Sequence, residues 1–580
     1  MQLERFGIFA PILGKRTNFP TQLLDDNATP VSQNVRTIDG EIHSVLGRAP
    51  LLVTPAWDDE ETYAADVAVI YEGVTYTSDN LGNTTVPDVG TWTAVTVPNA
   101  AKPILHYHHL VTTGGSSYTF AFTEDCIYIW DNTNSYWRNH LGAYGDAAAI
   151  VLTATTSWST CTFNNQVIAT NGQADNPPLV GDETDEFVYL SKNASAAVHG
   201  LDLDGDAAAE LSKAGFVVAF QGYVLVGDTT ETDPYYNRLR YCAIGEHEDW
   251  DEVGSTAGFI NIGDTTPING AAVWGDYLIV FKDTSIWKVW LTADADVVFE
   301  SAQISDVYGC RAPQSAVLAA DGTMVFLASD MRIRTVDGED ISAQIDKVLR
   351  EITEDAVGAV RAFRVERNNE LWFSVPYGSG ETANNRILTV APGGVWNILL
   401  FAIPAFGRYE RQADVTIDGL DAEFASIEEW SAAWGSIDAA VGSGGFVYDI
   451  SADAAGGTWQ LNATTDDKGA AFDAKFSLAS DLTEGSDLIT YKRLLRARLF
   501  VLRDCGTDIE LYVRRDGANV PDYIGARTIP NATGEDSSEI TVLDYPCRLR
   551  AKHFEFLIEA GNGAMRFLGI ELEYARDGVR

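Results

Sequence analysis

Short apolar segments separated by turn residues fill most of the chain. The stretch from Phe216 to Val226 holds two such segments around Gln221-Gly222, which is typical of two strands joined by a tight turn. Similar groups begin at Ala271, Ser315 and Ala362, so successive groups start 55, 44 and 47 residues apart. Three or four strands in ~40–50 residues is the pattern of a propeller blade. We therefore predict an all-β chain built on a β-propeller of five to seven blades.

Two less regular blades are predicted upstream, at Ser117–Trp130 and Thr160–Thr170. One segment departs from the strand pattern. Its apolar residues recur at intervals of 4, 3 and 4, which predicts a short helix between two blades; they are Ile341, Ile345, Val348 and Ile352.

Composition and periodicity change along the chain. Residues 435–457 are rich in Gly, Ala, Ser and Asp, which is typical of an irregular segment. From Tyr491, apolar and polar residues alternate again, which predicts a β-sandwich. The predicted divisions are an N-terminal strand segment (1–50), the β-propeller (51–400), a linker or platform segment (401–490) and a C-terminal β-sandwich (491–580).

Charge is the most unusual feature of the composition. The chain has 83 acidic and 40 basic residues, a formal net charge of −43. Residues 491–580 hold 14 basic and 14 acidic residues, so the whole excess lies in residues 1–490. Such a field disfavours a protein that grips nucleic acid through Lys and Arg. Two interpretations stay open: a surface adapted to high salt, or an acidic channel through which DNA slides without binding.

Neither export nor membrane insertion is predicted. The apolar segments are too short to span a bilayer. Lys15-Arg16 follows the apolar stretch Phe6–Leu13, which is the wrong order for a signal peptide. The six cysteines are scattered without a Cys-x-x-Cys pair, so buried free thiols are predicted. Cys505 and Cys547 fall in one predicted domain, and a disulfide between them stays open.

Two clusters are candidates for a metal ion. His106 and His108 share one face of a predicted strand but lack a third ligand of matching spacing. Asp202, Asp204, Asp206 and Glu210 form an acidic loop, but Gly205 and the missing later ligands depart from an EF-hand. We predict strand residues at a blade edge or subunit interface for the first, and leave a solvated loop or a bound cation open for the second. Asp294 and Asp296 are weaker candidates.

Motifs of catalysis are not found. Thr77–Gly82 has the wrong spacing for the turn of sialidase-like propellers, and Gly7–Lys15 does not fit a phosphate-binding loop. There is no Gly-x-Ser-x-Gly and no His-Glu-x-x-His. Four tryptophans are candidate sugar-stacking platforms, although packing within blades is the more common role of this residue; they are Trp130, Trp137, Trp287 and Trp290. The sequence therefore predicts no enzyme, no catalytic residue, no metal and no cofactor.

The stretch Gly258–Val390 resembles the nozzle or hub proteins in the tails of short-tailed phages. The resemblance lies in the order of its turns and strands: Asp264–Gly270, Gly275–Lys282, Ser285–Trp287, Gly309–Ser315, Phe326–Asp330, Asp337-Gly338, Asn369–Pro376 and Asn384–Leu388. Asn34–Arg36 through Gly47–Pro50 is similar to the N-terminal strand pair of this family, and the last 90 residues to its C-terminal sandwich. Segments 51–115 and 400–480 match nothing recognised.

The resemblance implies a structural virion protein, located in the tail, that closes the channel and guides DNA ejection. It also implies a ring of identical subunits, usually six. The expected partners are adaptor or portal-side proteins and tail fibres or spikes, and the genome passes through without sequence-specific binding. The alternative function is a tail-associated carbohydrate-binding or glycosidase-like β-propeller, which a carboxylate pair in a central pocket would favour.

Overall fold

In the computed structural model, 58% of the described residues lie in strands and 5% in helices, so the described part of the chain is nearly all β. The structure describes residues 3–9, 15, 31–38, 41–52, 54, 68–71, 74–79, 87, 92–94, 103–144, 148–190, 201, 203, 210–252, 255–294, 297–411, 446–464, 467–470, 472–480, 490–502, 507–530, 540–561 and 565–576. The chain divides into two compact units. The blade unit comprises 50–309 and 404–460, and the sandwich unit comprises 1–49, 310–403 and 461–580.

The strands follow in chain order. The first are β1 (Leu3–Phe9), β2 (Ser32–Gln33), β3 (Val35–Ile38), β4 (Glu41–Ser44), β5 (Gly47–Pro50), β6 (Ala68–Tyr71), β7 (Val74–Ser78), β8 (Trp92–Ala94), β9 (His106–Val111), β10 (Ser117–Phe122), β11 (Ile127–Asp131), β12 (Tyr136–Asn139), β13 (Ala143–Tyr144) and β14 (Ala148–Ala149). Next come β15 (Ser159–Phe163), β16 (Gln166–Thr170), β17 (Leu179–Gly181), β18 (Val188–Tyr189), β19 (Lys213–Phe220), β20 (Tyr223–Thr230), β21 (Pro234–Tyr241), β22 (Gly258–Asn261), β23 (Ile268–Trp274), β24 (Tyr277–Lys282), β25 (Ile286–Leu291) and β26 (Phe299–Ser305).

The remaining strands are β27 (Val317–Leu318), β28 (Met324–Leu327), β29 (Ile333–Thr335), β30 (Arg361–Val365), β31 (Glu370–Val375), β32 (Arg386–Ala391), β33 (Val395–Leu399), β34 (Phe406–Arg411), β35 (Phe446–Ala452), β36 (Thr458–Thr464), β37 (Ala474–Ser480), β38 (Lys492–Leu502), β39 (Asp508–Arg515), β40 (Asp522–Thr528), β41 (Ile540–Ala551), β42 (Phe554–Ala560) and β43 (Arg566–Arg576). The predicted helix is a 3-10 turn (Ala343–Ile345) leading into α1 (Asp346–Leu349); further 3-10 turns are Pro313–Ser315, Glu354–Ala359 and Glu366–Asn368.

The blade unit is a series of small antiparallel sheets. Four of them run β12-β11-β10-β9, β15-β16-β17-β18, β19-β20-β21-β22 and β23-β24-β25-β26. Neighbouring sheets share hydrophobic cores. One core contains Phe122 of β10 and Trp158 near β15. Another contains Ile168 of β16, Leu225 of β20 and Val280 of β24. Small antiparallel sheets that share cores with their neighbours in this way are propeller-like. Closure into a complete propeller stays a prediction.

The sandwich unit holds two packed sheets and two further small ones. The six-stranded sheet runs β3-β4-β43-β38-β41, with β1 also on β43, and the five-stranded sheet runs β2-β37-β42-β39-β40. Their inner faces form one core that includes Phe476, Leu499, Tyr545 and Phe556. Sheets β27–β29 and β30–β33 share another core, which also takes Val348 from α1.

The structure divides the chain differently from the predicted segments. Residues 1–50 are not a separate segment, because β1, β3 and β4 join the sheet of β38, β41 and β43. The sandwich begins before 491, since β37 lies in its second sheet. The predicted irregular stretch 435–457 contains β35, a seven-residue strand hidden by the surrounding small residues. Strands β1 and β43 pair although they lie at opposite ends of the sequence, and such a pairing leaves no local sequence pattern. In the described part of the chain, no helix has the length and hydropathy needed to cross a membrane.

Candidate functional site

The candidate site lies on one face of the sheet β23–β26. A two-residue turn, Gly275-Asp276, joins β23 to β24 and sets Trp274 directly opposite Tyr277. Gly275 has φ +59°, the left-handed conformation that the first position of a type II′ turn requires. A Cβ atom at position 275 would have no atom within 4 Å, so the positive φ, and not a lack of space, requires glycine here.

Three aromatic side chains form a row across this sheet. Leu278 pairs with Val289, and the same register carried one residue further sets Tyr277 opposite Trp290. Directly opposed residues share a face, so Trp274, Tyr277 and Trp290 line up across β23, β24 and β25. We call them the aromatic row. Tyr277 is 38% exposed, and the two tryptophans are half-buried. The row spans roughly 10 Å, which is twice the spacing between strands.

Polar groups flank the row on the same face. The Lys288 ammonium lies 5.2 Å from the centroid of the Tyr277 ring and 5.7 Å from that of Trp290, within cation–π range. Glu300 pairs directly with Trp290 from β26 and is exposed. The site therefore combines flat aromatic faces with one ammonium donor and one carboxylate acceptor.

A buried lysine at the other end of β24 fixes the sheet. Lys282 is fully buried, and its ammonium donates to the carbonyl oxygens of Ile262 (2.6 Å) and Asp264 (2.8 Å) and to the Asp264 carboxylate (2.9 Å). All three N–H groups are thus used, which makes burial of the charge tolerable. The Thr266 hydroxyl, followed by Lys282, holds the pKa of Asp264 at about 2. We call this arrangement the Lys282 clamp.

The neighbouring sheet presents a second exposed aromatic group. The Arg238 guanidinium lies 3.6 Å from the centroid of the Tyr235 ring and 3.9 Å from that of Phe259. Glu231 holds the same guanidinium at 2.8 Å, and Phe259 is 39% exposed. The Arg238 guanidinium covers both rings of this second group, as the Lys288 ammonium covers Tyr277 and Trp290 in the row.

The predicted histidine pair lies on one face of β9, but the structure gives it hydroxyl partners. His106 and His108 both contact the Thr160 hydroxyl at 2.8 Å, and His108 also contacts that of Thr162 at 2.8 Å. Burial lowers the pKa of His108 to about 4. Within the described ranges, no group of three or more His, Cys, Asp or Glu side chains is placed to hold a metal ion.

Several candidates lie wholly or partly outside the described residues. The structure does not describe Asp202, Asp204, Asp206, Asp296 or Cys505. The acidic loop and the Cys505–Cys547 pair therefore lie outside what it describes. In the Thr77–Gly82 stretch, Asp79 accepts a hydrogen bond from the Thr93 hydroxyl at 2.8 Å. The other five cysteines are buried free thiols.

The tryptophan candidates separate into two kinds. Trp130 and Trp137 are buried and meet edge to face at 5.4 Å, so they belong to a core. Trp287 is half-buried and donates to the Ser285 hydroxyl at 3.1 Å. Only Trp290 of the four joins the aromatic row. Trp274 and Tyr277 were not predicted from the sequence, although aromatic residues on both sides of a two-residue turn are a recognisable signal.

The comparisons with known proteins concern the fold. The sequence matches no protein-family model and no curated protein. Similar solved structures include an extracellular domain of a hybrid two-component system from B. thetaiotaomicron (9% identity, TM-score 0.36, 74% of this chain and 46% of that one). Another is a glycoside hydrolase family 43 arabinoxylan arabinofuranohydrolase from Bacillus subtilis (10% identity, TM-score 0.23, 90% and 97%). A third is an exo-β-1,3-galactanase from Phanerochaete chrysosporium (10% identity, TM-score 0.23, 75% and 99%).

With TM-scores between 0.23 and 0.36, these similarities assign the chain no family and no activity, and its propeller-like character rests on the small antiparallel sheets themselves. The chain spans less than half of the Bacteroides extracellular domains, 40% and 46% of two of them. One prediction from the sequence is nevertheless wrong. The prediction that the chain is not an enzyme fails, because the absence of short motifs excludes no activity and glycoside hydrolases occur among the similar structures. Short sequence motifs miss such sites because carboxylates on different strands meet only in the fold.

Proposed function

We propose that the protein is a carbohydrate-binding β-propeller whose aromatic row stacks on the rings of an oligosaccharide. The observation that carries the proposal is the row of Trp274, Tyr277 and Trp290 on one sheet face, in which Tyr277 is exposed and both tryptophans are half-buried. A row of roughly 10 Å accommodates about two pyranose rings, given the strand spacing of ~4.8 Å.

The chemistry of the surrounding residues supports the same function. Aromatic rings have large apolar faces on which the C–H face of a sugar packs. Binding sites add a few polar groups that fix the orientation of the ligand. Here the Lys288 ammonium donates a hydrogen bond to one sugar hydroxyl, and the Glu300 carboxylate accepts one from another. The Lys282 clamp holds the end of β24 that is buried, so the row is presented on a rigid element.

Titration of the full chain with xylo-, gluco- and galacto-oligosaccharides, followed by tryptophan fluorescence and calorimetry, tests the proposal. At least one series is expected to bind. Trp290→Ala and Tyr277→Ala should each weaken that binding by roughly 2- to 13-fold, because one aromatic contact is worth about 0.5–1.5 kcal/mol. Measurement of reducing ends in the same samples shows whether binding is accompanied by hydrolysis.

Tyr523→Ala is the matched control. Tyr523 is 56% exposed on β40 of the sandwich unit and does not belong to the row, so its loss should leave sugar affinity unchanged. Unaltered circular dichroism and thermal melting show that each variant is folded. Equal affinity of parent and both row variants, or no binding in any series, contradicts the proposal.

The tail location remains a separate prediction, which rests on the sequence resemblance of Gly258–Val390. We propose on that basis a hexameric nozzle or hub ring of a virion, with adaptor and fibre proteins as partners. A sugar-binding surface suits a tail component that meets a cell envelope. Electron microscopy of the particle tests this prediction, and a monomer or a trimeric spike at the tail tip would contradict it.

A further inference from the structure

Strand β3 places a buried arginine where two sheets of the sandwich unit meet. Asn34 precedes the strand, and its backbone N–H donates to the Ile398 carbonyl of β33 at 2.9 Å, while its side-chain oxygen accepts the Leu400 N–H at 2.8 Å. Arg36 follows two residues later and is 8% exposed. Among the described residues, no group accepts a hydrogen bond from its buried Nε and Nη1 atoms.

A guanidinium in this position lacks the acceptor that its charge requires. Burying a charge is costly unless it is paired and hydrogen-bonded, so buried polar groups nearly always have partners. Burial lowers the pKa of Arg36, and the charge of Glu370 raises it, so that carboxylate lies nearby. The two groups nevertheless form no salt bridge in the described part of the chain. The Arg36 N–H groups are therefore available to an acceptor from outside the chain.

The turn between β30 and β31 adds two more donors. The charge of Arg367 also lowers the pKa of Arg36, so this exposed side chain lies close to it. The side-chain amide nitrogen of Asn368, the next residue, is buried and donates to no group that the structure describes. Glu370 is held in place by the Trp372 indole N–H at 2.9 Å. We call Arg36, Arg367, Asn368 and Glu370 the Arg36 cluster.

The cluster has an excess of positive charge. It holds two guanidinium groups and one carboxylate, and burial raises the pKa of Glu370, so the excess is at least one charge. His43 lies opposite Arg36 on the neighbouring strand, but its partner Glu41 (3.2 Å) also holds Arg566 (3.0 Å), so those charges are already paired. One monovalent anion neutralises the excess, and a carboxylate also supplies two oxygen acceptors for N–H groups.

We propose that the Arg36 cluster binds the carboxylate group of a small organic acid. The planar guanidinium of Arg36 matches a carboxylate in bidentate geometry, and the amide of Asn368 offers one more donor. Arg367 lies at the exposed side of the cluster, where it attracts the anion from solvent. Since Arg36 is almost wholly buried, a compact free acid reaches it more readily than a side chain of a folded protein. Nothing in this inference depends on the aromatic row.

Ligand-observed NMR of isotope-labelled acetate in the presence of the full chain, at constant ionic strength, tests the proposal. Acetate should bind saturably to the parent. Arg36→Met should weaken this binding about tenfold or more, because hydrogen bonds to a charged group are the stronger kind in proteins. Arg36→Lys keeps the charge but not the planar fork, so its affinity should lie between that of Arg36→Met and that of the parent.

Arg367→Glu and Arg350→Glu form a matched pair, because both arginines are exposed and both changes alter the net charge equally. Arg367→Glu should weaken acetate binding about fivefold or more, whereas Arg350→Glu, which does not belong to the cluster, should match the parent. Circular dichroism shows that each variant is folded. The proposal is overturned by a parent that does not bind acetate, by a folded Arg36 variant that binds as tightly as the parent, by equal affinities of the matched pair, or by inorganic phosphate that binds the cluster where acetate does not.

Discussion

Removing the buried ammonium at position 282 tests how the candidate site is supported. Lys282→Met keeps most of the apolar stem but deletes the donor to the carbonyl oxygens of Ile262 and Asp264. A buried acceptor left without a partner costs about 1–3 kcal/mol. The Asp264 side chain is 68% exposed, so its carboxylate regains water and adds little. The Ile262 carbonyl is buried and that of Asp264 only partly buried, so the second acceptor contributes about 1 kcal/mol and the expected local loss is about 2–4 kcal/mol.

Hydrogen exchange measured by mass spectrometry resolves this loss, because a chain of two units is not described by one unfolding transition. Peptides that cover 258–270 should exchange about 30- to 700-fold faster, which is 2–4 kcal/mol at 1.4 kcal/mol per tenfold. Lys288→Met is the matched control on the same sheet. It should lose only the cation–π contacts, about 0.5–1 kcal/mol. Equal exchange in Lys282→Met and the parent, or an equally large effect of Lys288→Met, refutes the reasoning.

Three further predictions follow from burial and charge. Burial lowers the pKa of His108 to about 4, whereas in the unfolded chain the pKa is ~6.5, so the unfolded chain takes up the proton first as the pH falls. The contribution of His108 to stability should therefore be full above pH ~6.5 and decrease as the pH falls toward 4. His108→Asn should reduce this pH dependence in thermal melts. The pKa of Asp264 is about 2, so the Lys282 clamp should be intact above pH ~4 and weaken as the pH falls toward 2. Asp264→Asn should remove this transition from the pH profile of tryptophan fluorescence. Net charge of −43 predicts a melting temperature that rises between about 0.1 and 3 M salt as repulsion is screened, and a flat profile would contradict adaptation to high salt.

Local patterns in the sequence predicted many of the strands. The turn at Gln221-Gly222 joins β19 to β20, and the segments beginning near Ala271 and Ala362 are β23 and β30. Each of these strands pairs with its neighbour in sequence, so its turn residues and apolar alternation are sufficient evidence. The long-range pairings were not predictable. Strand β1 pairs with β43 across almost the whole chain, and a sequence pattern specifies neither partner nor register over that distance.

The candidate site was predicted only in part. Trp290 was recognised as a possible platform, but its neighbours across the sheet depend on a register that the structure supplies. Trp130 and Trp137 have the same local appearance in the sequence and are buried, because the packing of whole sheets decides which face is covered.

The central claim is that the aromatic row binds a sugar, and a structure of the full chain with the tightest-binding oligosaccharide tests it most directly. The account predicts a sugar ring in van der Waals contact with Tyr277 and Trp290, with hydroxyl groups within hydrogen-bond distance of Lys288 or Glu300. The Lys288 ammonium should move off the ring faces that it occupies in the free protein. A saturated complex whose sugar lies elsewhere, with the row unchanged, would contradict the account.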